Sequence, residues 1–317
     1  MELSIVIPVF NEEENIEPLI REIDAVMAPM GKSYEIVAVD DGSKDDTFAV
    51  LRGMHERRKS LKVVRLKRNF GQTAALAAGL SHADGEVVVL MDGDAQNDPA
   101  DIPALLSKLA EGNDLVAGWR HNRQDPFLSR RLPSMIANWL ISWTTKVKLH
   151  DYGCTLKAMR RDLAKSLRLY GEMHRFIPAI AYERGAQIAE LKVNHRPRLR
   201  GQSKYGITRT LRVVLDLLTV KFLVSYSTRP AHVFGPIGVL SGLAGFLIAI
   251  YLTVQKFVYD EMIGGRPLLL LAILLIFIGF QFVTMGLLGE MLARTYHESQ
   301  DRAVYVVGEI LEGGKTL

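Results

Sequence analysis

Cysteine is almost absent from this chain. Cys154 is the one cysteine in 317 residues, so no intrachain disulfide can form, and a reducing compartment is expected. There is no internal repeat and no low-complexity tract, which sets aside repeat architectures. The opening segment Met1–Phe10 has no positively charged lead-in, and its short apolar run meets Pro8. It does not read as a secretory signal, and the N-terminal part is expected to stay in the cytoplasm. His82, His174 and His195 are scattered and show no metal-ligand spacing.

Charge is missing from two long stretches. Neither Val233–Gln255 nor Pro267–Gly289 contains Asp, Glu, Lys or Arg. As a helix, each is long enough to cross a hydrocarbon core of about 30 Å, and membrane helices tolerate the Gly and Pro inside them. The formal net charge of +4 is modest, but its placement is informative. Arg196, Arg198, Arg200, Lys204, Arg209, Arg212, Lys221 and Arg229 all precede the first uncharged stretch. A basic segment beside a span marks the cytoplasmic face and is drawn to anionic headgroups; a solvated charged face is the plainer reading. No nucleic-acid-binding motif accompanies these cations, so a nucleic-acid partner is not expected. Leu211, Val214, Leu215, Leu218 and Phe222 recur at helical spacing, as in a helix lying in the membrane interface. A core helix of a soluble domain has the same pattern. Two spans return the C-terminus to the side of the N-terminus, with the loop from Lys256 to Arg266 on the other.

Up to about residue 228 the chain reads as a mixed globular domain, and its first half alternates apolar runs with helical segments. Strands are expected at 3–9, 34–39, 61–66, 86–91 and 114–118, helices at 16–27, 47–55 and 71–80, and a short strand at 304–307 in the tail. Continuous apolar strands separated by helices predict an α/β fold, with a mostly parallel sheet covered on both faces. In such folds ligands bind beyond the carboxyl ends of the strands. Asn11 and Glu12, Asp40 and Asp41, then Asp92 and Asp94 follow three of these strands.

Met91-Asp92-Gly93-Asp94-Ala95-Gln96 carries the sharpest chemistry. Two carboxylates one residue apart, at the end of a buried strand, can share a hard divalent cation with a diphosphate, and the cation offsets the charge of a departing diphosphate. Asp-x-Asp alone also occurs in surface loops; its place after a strand is what favours the functional reading. Asp40-Asp41-Gly42-Ser43-Lys44-Asp45-Asp46-Thr47 suits a tight turn with a helix cap, served by Gly42, Ser43 and Asp46. It equally offers a carboxylate to a nucleobase N–H.

Ile7-Pro8-Val9-Phe10-Asn11-Glu12-Glu13, Asp40-Asp41-Gly42-Ser43 and Asp92-Gly93-Asp94 together resemble family 2 glycosyltransferases of the GT-A fold. Arg68-Asn69-Phe70-Gly71-Gln72, Gly118-Trp119-Arg120, Asp151-Tyr152-Gly153-Cys154 and Arg198-Leu199-Arg200-Gly201-Gln202-Ser203-Lys204-Tyr205 narrow the resemblance. They are similar to the polyprenyl-phosphate branch, which includes dolichyl-phosphate mannose synthase and bactoprenol glucosyltransferases. The resemblance covers essentially the whole chain. It implies Mg²⁺ or Mn²⁺ held by Asp92, Asp94 and Gln96. Pro8, Phe10, Glu12, Val39, Asp41 and Gly93 would line the nucleotide-sugar site, with Phe10 where the family often has Tyr. Arg120, Arg131, Arg198 and Lys204 would contact the donor diphosphate or the acceptor phosphate. Such cations suit a site where two phosphorylated substrates meet. Asp151 falls where the wider family often has a catalytic carboxylate. A phosphate acceptor, with a second pKa of about 6, hardly needs a base, so Asp151 reads as an acceptor-site or positioning group, or as a cap or turn residue. Cys154 has no flanking base and offers no covalent nucleophile, so direct displacement with inversion is expected.

The implied activity is transfer of a sugar from a nucleotide diphosphate to undecaprenyl or dolichyl phosphate at the cytoplasmic membrane. UDP-glucose is the first expectation for the donor, with GDP-mannose and UDP-uronic acids behind it. A processive polysaccharide synthase is the first rival, but its Gln-x-x-Arg-Trp element is absent: Trp119, Trp139 and Trp143 follow Gly118, Asn138 and Ser142. A non-enzymatic membrane scaffold is the second, and the Asp-x-Asp pair argues against it. The expected layout is a catalytic domain at 1–206, interfacial helices at 207–228, a two-helix membrane region at 229–291 and a cytoplasmic tail at 292–317. A tetramer is implied by related bacterial enzymes alone.

Overall fold

The structure is a computed structural model, and it describes residues 1–121, 142, 147–169, 173–196, 231–259, 262, 267–299, 304–313 and 315–316. The chain divides into two compact units, Met1–Leu217 with Ala303–Leu317, and Leu218–Arg302. Among the described residues the first unit contains a mixed sheet of nine strands. Its strands are β1 (Leu3–Val9), β2 (Tyr34–Asp40), β3 (Leu61–Leu66), β4 (Val87–Leu90), β5 (Leu115–Arg120), β6 (Lys157–Arg160), β7 (Ile188–Val193), β8 (Val307–Glu312) and β9 (Lys315–Thr316). The helices are α1 (Ile16–Met27), α2 (Thr47–Arg57), α3 (Gln72–His82), α4 (Ile102–Ala110), α5 (Arg161–Ser166) and α6 (Ile177–Glu183).

Burial explains the central strands. Every residue of β1, Leu-Ser-Ile-Val-Ile-Pro-Val, is buried, so the strand has no polar face and must be covered on both sides. α1 supplies one cover: Ile16, Leu19, Ile20, Ile23 and Met27 form its buried face, while Glu17 and Arg21 pair across one turn on the outside. The five expected strands of the first half are present, within two residues at each end.

The strand order is β7-β5-β6-β4-β1-β2-β3-β8-β9. β1 pairs in parallel with both β2 and β4, and β2 with β3. β6 runs antiparallel between β4 and β5, so β5 and its parallel neighbour β7 point the same way as β1. The chain builds outward from β1 through β2 to β3, then crosses to β4 on the other side. The order therefore reverses between β1 and β4, and a crevice at the carboxyl edge is expected there.

Two features depart from the sequence reading. β6 and β7 were not anticipated. The tail strand begins at Val307 rather than Val304 and runs antiparallel to β3. It is fastened by Arg52 to both oxygens of Glu309 at 3.0 Å and by Lys62 to Glu312 at 2.7 Å. Leu311 joins the main core. Val307–Glu312 and Lys315–Thr316 thus extend the sheet of the first unit.

The second unit contains α7 (Ala231–Val258) and α8 (Pro267–Ser299). Phe234–Val258 and Pro267–Gly289 have mean hydropathies of 2.2 and 2.7, and each is long and apolar enough to cross a membrane. Their large apolar side chains are mostly exposed, unlike those of a soluble core helix. The expected interfacial helices at 207–228 lie outside the described residues.

Candidate active site

The loops leaving β1 and β2 are stitched together. Asn11 takes a left-handed conformation, φ 56°, which a short polar side chain tolerates. Its N–H donates to Ser43 Oγ at 2.9 Å, and its side-chain oxygen accepts from Lys44 N–H at 2.9 Å. Glu12 N–H donates to Thr47 Oγ1 at 2.9 Å, and Asp46 N–H to Glu13 at 2.8 Å. The cap of α2 differs from expectation. Asp46 makes no side-chain cap bond; Asp45 instead accepts from the N–H and hydroxyl of Thr47. Pro8 and Val39 are buried register partners in β1 and β2, and Phe10 and Glu12 are half-buried at the edge.

Asp41 is buried, and its two oxygens accept the N–H groups of Phe70 and Gly71 at 2.7 and 2.9 Å. Burial still holds its carboxyl above the ordinary value, outweighing those bonds. Gly42, φ +68°, lies so close to the next loop that a Cβ would be 2.5 Å from the Arg68 carbonyl carbon. The Arg68–Gly71 segment is thereby fastened to the end of β2.

Across the switch point lies the Asp92–Gln96 turn. Gly93 sits against β1, where a Cβ would come within 2.6 Å of Val9 Cγ1 and 3.1 Å of the Pro8 oxygen. Asp92 accepts from Gln72 Nε2 at 2.8 Å, and its N–H donates to Asn97 at 3.0 Å. Asp94 accepts from the Gln96 N–H at 3.2 Å across Ala95, which has φ 58°. A bridge between Asn97 and His195 and a bond from Arg196 N–H to the Gln96 carbonyl at 2.9 Å pin the turn from outside. Burial and the adjacent Asp94 push the Asp92 carboxyl up to about 6. A carboxylate raised by burial and by a neighbouring carboxylate fits a divalent cation, which relieves the repulsion.

Arg120, at the end of β5, forks onto Asp151: Nε to Oδ2 at 2.7 Å and Nη2 to Oδ1 at 2.9 Å. Burial opposes the guanidinium charge, but Asp151 more than offsets it and keeps the group firmly protonated. Asp151 also accepts from Gly153 N–H at 3.0 Å. The structure therefore joins two residues that the sequence suggested separately. The sequence reading missed a fourth group, Lys157, whose ammonium burial pushes down against the pull of Cys154, Asp151 and Asp92. It is fully buried in β6 and donates to the Cys154 carbonyl. Its one visible signal was a lysine within a short run of apolar residues. His174, buried with its ring against Thr73 Oγ1 at 2.7 Å, is pushed down to about 3 by burial, Arg175 and Lys157. Burial pushes the Cys154 thiol up to about 11, which leaves it inert as a nucleophile. Arg131, Arg198 and Lys204 lie outside the described residues.

Residues 4–168 match the glycosyl transferase family 2 domain. The chain is 45% identical over 316 residues to the dodecaprenyl-phosphate galacturonate synthase of Rhizobium johnstonii, spanning 98% of this chain and 94% of that one. It is 38% identical over 311 residues to an undecaprenyl-phosphate 4-deoxy-4-formamido-L-arabinose transferase of Pseudomonas aeruginosa, spanning 98% and 90%. Among solved structures it is similar to the glucosyl-3-phosphoglycerate synthase of Mycobacterium tuberculosis in complex with Mn²⁺ and UDP-glucose. The TM-score is 0.54 at 22% identity, over 69% of this chain and 78% of that one, a likeness of fold.

Proposed function

This chain belongs to glycosyl transferase family 2 and is a glycosyltransferase, and on that premise we propose that it moves a uronic acid from a nucleoside diphosphate to a polyprenyl phosphate. The observation that carries the sugar is the 45% identity to a galacturonate synthase along nearly the whole of both chains. The glucose donor expected first has no comparable support. The chemistry fits a site in which Asp92 and Asp94 stand at the switch point of the sheet, beside the Arg120–Asp151 pair.

Asp92, Asp94 and Gln96 would hold Mg²⁺ or Mn²⁺, whose contribution is to offset charge on the departing diphosphate. Phe10, Glu12 and Asp41 border the nucleotide, with Pro8, Val39 and Gly93 forming the wall beneath. Arg120 is oriented by Asp151, which acts as a positioning group. Arg131, Arg198 and Lys204 bind phosphate. The acceptor phosphate is already ionised near neutral pH, and it attacks the anomeric carbon in line, with inversion. Residues 1–228 and the C-terminus face the cytoplasm, and the loop at 256–266 faces the opposite side of the inner membrane. The pairing of β8 with β3 supports this, because the segment after the second apolar helix shares a sheet with residues before the first.

The test is direct. Membranes containing the protein are incubated with labelled UDP-galacturonate, UDP-glucuronate, UDP-glucose or GDP-mannose, together with polyprenyl phosphate and Mn²⁺. Lipid-linked label from a uronic acid donor, with a β-linked product from an α-linked donor by NMR coupling constants, is the expected result. Transfer confined to a neutral hexose would overturn the sugar assignment, and an α-linked product would overturn the mechanism.

A further inference from the structure

Gln72 opens α3 and reaches across the switch point. Its Nε2 donates to Asp92 Oδ1 at 2.8 Å; an ionised carboxylate can only accept, so the amide is the donor. Gln72 follows β3 and Asp92 follows β4, and β1 and β2 lie between those strands in the sheet. The bond therefore spans the carboxyl edge and does not join neighbouring loops.

The start of α3 is fixed independently of Asp92. The two residues before Gln72, Phe70 and Gly71, are tied by their N–H groups to Asp41. The residue after it, Thr73, is buried and meets the His174 ring at 2.7 Å. Further along, Gly79 lets the helix lie directly on the sheet, where a Cβ would be 2.2 Å from Val6 Cγ1 and 3.2 Å from Val39 Cγ2. Gln72 is thus flanked by anchored residues, and its amide approaches Asp92 from a rigid frame. The Asp92 N–H is held separately, by Asn97 at 3.0 Å. That backbone bond places the residue but does not set the rotation of its carboxylate. The Gln72 bond sets it.

The type of side chain matters as much as its place. A lysine or arginine there would pair with Asp92 and compete with a divalent cation for its charge. A neutral amide orients the carboxylate and leaves the charge to the cation. We propose that Gln72 is a positioning residue for the metal site, a neutral donor on a rigid helix start that holds the Asp92 carboxylate in its ligating orientation. It acts on the cation through Asp92 and is not itself a ligand. This rests on the metal reading of Asp92 and Asp94, and the test separates the two.

The experiment is a titration of the full-length protein in detergent with Mn²⁺ alone, followed by the EPR signal of the free ion. Groups that orient a metal ligand are worth about 10- to 100-fold in metal affinity, so Gln72→Met should raise the Kd for Mn²⁺ by about 10-fold or more. Gln72→Ala should do the same, which removes any dependence on how methionine packs. Both variants should unfold within about 5 °C of the wild type in EDTA, because only a neutral hydrogen bond at a half-buried position is lost. Arg52→Met is the structural control. It breaks the bonds to Glu309 of β8, costs a comparable amount of stability, and should leave the Kd within about two-fold. Wild-type affinity in the Gln72 variants, an equal weakening in Arg52→Met, or loss of the fold on changing Gln72 would each overturn the proposal and leave the metal reading intact. A wild type that takes up no Mn²⁺ would overturn the metal reading, and the proposal with it.

Discussion

On the side of β1 and β2, the loops are joined by single hydrogen bonds between side chains and backbone: Asn11 to Ser43 and Lys44, Glu12 N–H to Thr47, and Asp46 N–H to Glu13. On the side of β4 and β5, the corresponding residues are ionisable groups gathered close together, Asp151 and Lys157 buried and Asp92 and Arg120 half-buried. The first side is a set of separable bonds, each worth about 1 kcal/mol. The second is a coupled unit, in which removing one charge leaves another unbalanced. The difference matches two tasks. A nucleoside is recognised by shape and hydrogen bonds, whereas a diphosphate with its cation needs preorganised charge.

The largest expected effect breaks the charged side at its centre. Asp92→Ala or Asp94→Ala should reduce sugar transfer by about 100-fold or more, and EDTA should inhibit the wild type reversibly. Transfer of labelled sugar to lipid, with and without restored Mn²⁺, measures both. Next comes the fork on Asp151. Arg120→Met or Asp151→Asn should each destabilise the fold by about 3 to 5 kcal/mol, measured by denaturant unfolding. The two together should cost less than the sum of the single changes, because neither then leaves an orphaned charge.

A third effect depends on pH. His174 is held neutral in the fold, pushed down to about 3 from an unfolded value of 6.5. Between these values the unfolded chain binds the proton and the folded chain does not. Stability is therefore greatest above about pH 6.5 and falls as pH drops, by about 1.4 kcal/mol per unit in mid-window. His174→Asn should flatten that slope in unfolding scans from pH 7 to 5. An unchanged slope would show that His174 is not its source.

The comparison also explains what was legible in the sequence. β1 to β5 could be read because they are continuous apolar runs with turn residues at their ends, and the acidic pairs after them marked the carboxyl edge. β6 could not. It is short, begins with Lys157 and follows the Asp151–Leu156 loop, so nothing local marks it as central. β7 carries alternating Glu190 and Lys192 and joins the sheet only through β5. The Arg120–Asp151 fork and the clasp of Asp41 by Phe70 and Gly71 span about 30 residues each, and no short-range pattern encodes them. The helix cap was misassigned between neighbours, since Asp45 and Asp46 are identical in type and only the turn geometry selects one.

The smallest expected effect tests whether the β1–β2 side is in fact separable. Ser43 Oγ accepts the Asn11 N–H, and Ser43 N–H donates to Asp40 Oδ1 at 2.9 Å. Ser43→Ala removes only the first bond, since the second uses the backbone. The Asn11 N–H would then turn to water at the half-open edge, so the loss should be about 1 kcal/mol. The Asp92 turn shares no hydrogen bond with Ser43, so the change should raise KM for the nucleotide sugar a few-fold and leave kcat near the wild-type value. Combined with Arg120→Met it should add, within about 0.5 kcal/mol, because the sites share no partner. Steady-state kinetics and unfolding of the double variant measure both quantities. A fall in kcat, or an interaction energy well above that limit, would show that the two sides of the switch point act as one unit, and the contrast drawn between them would fail.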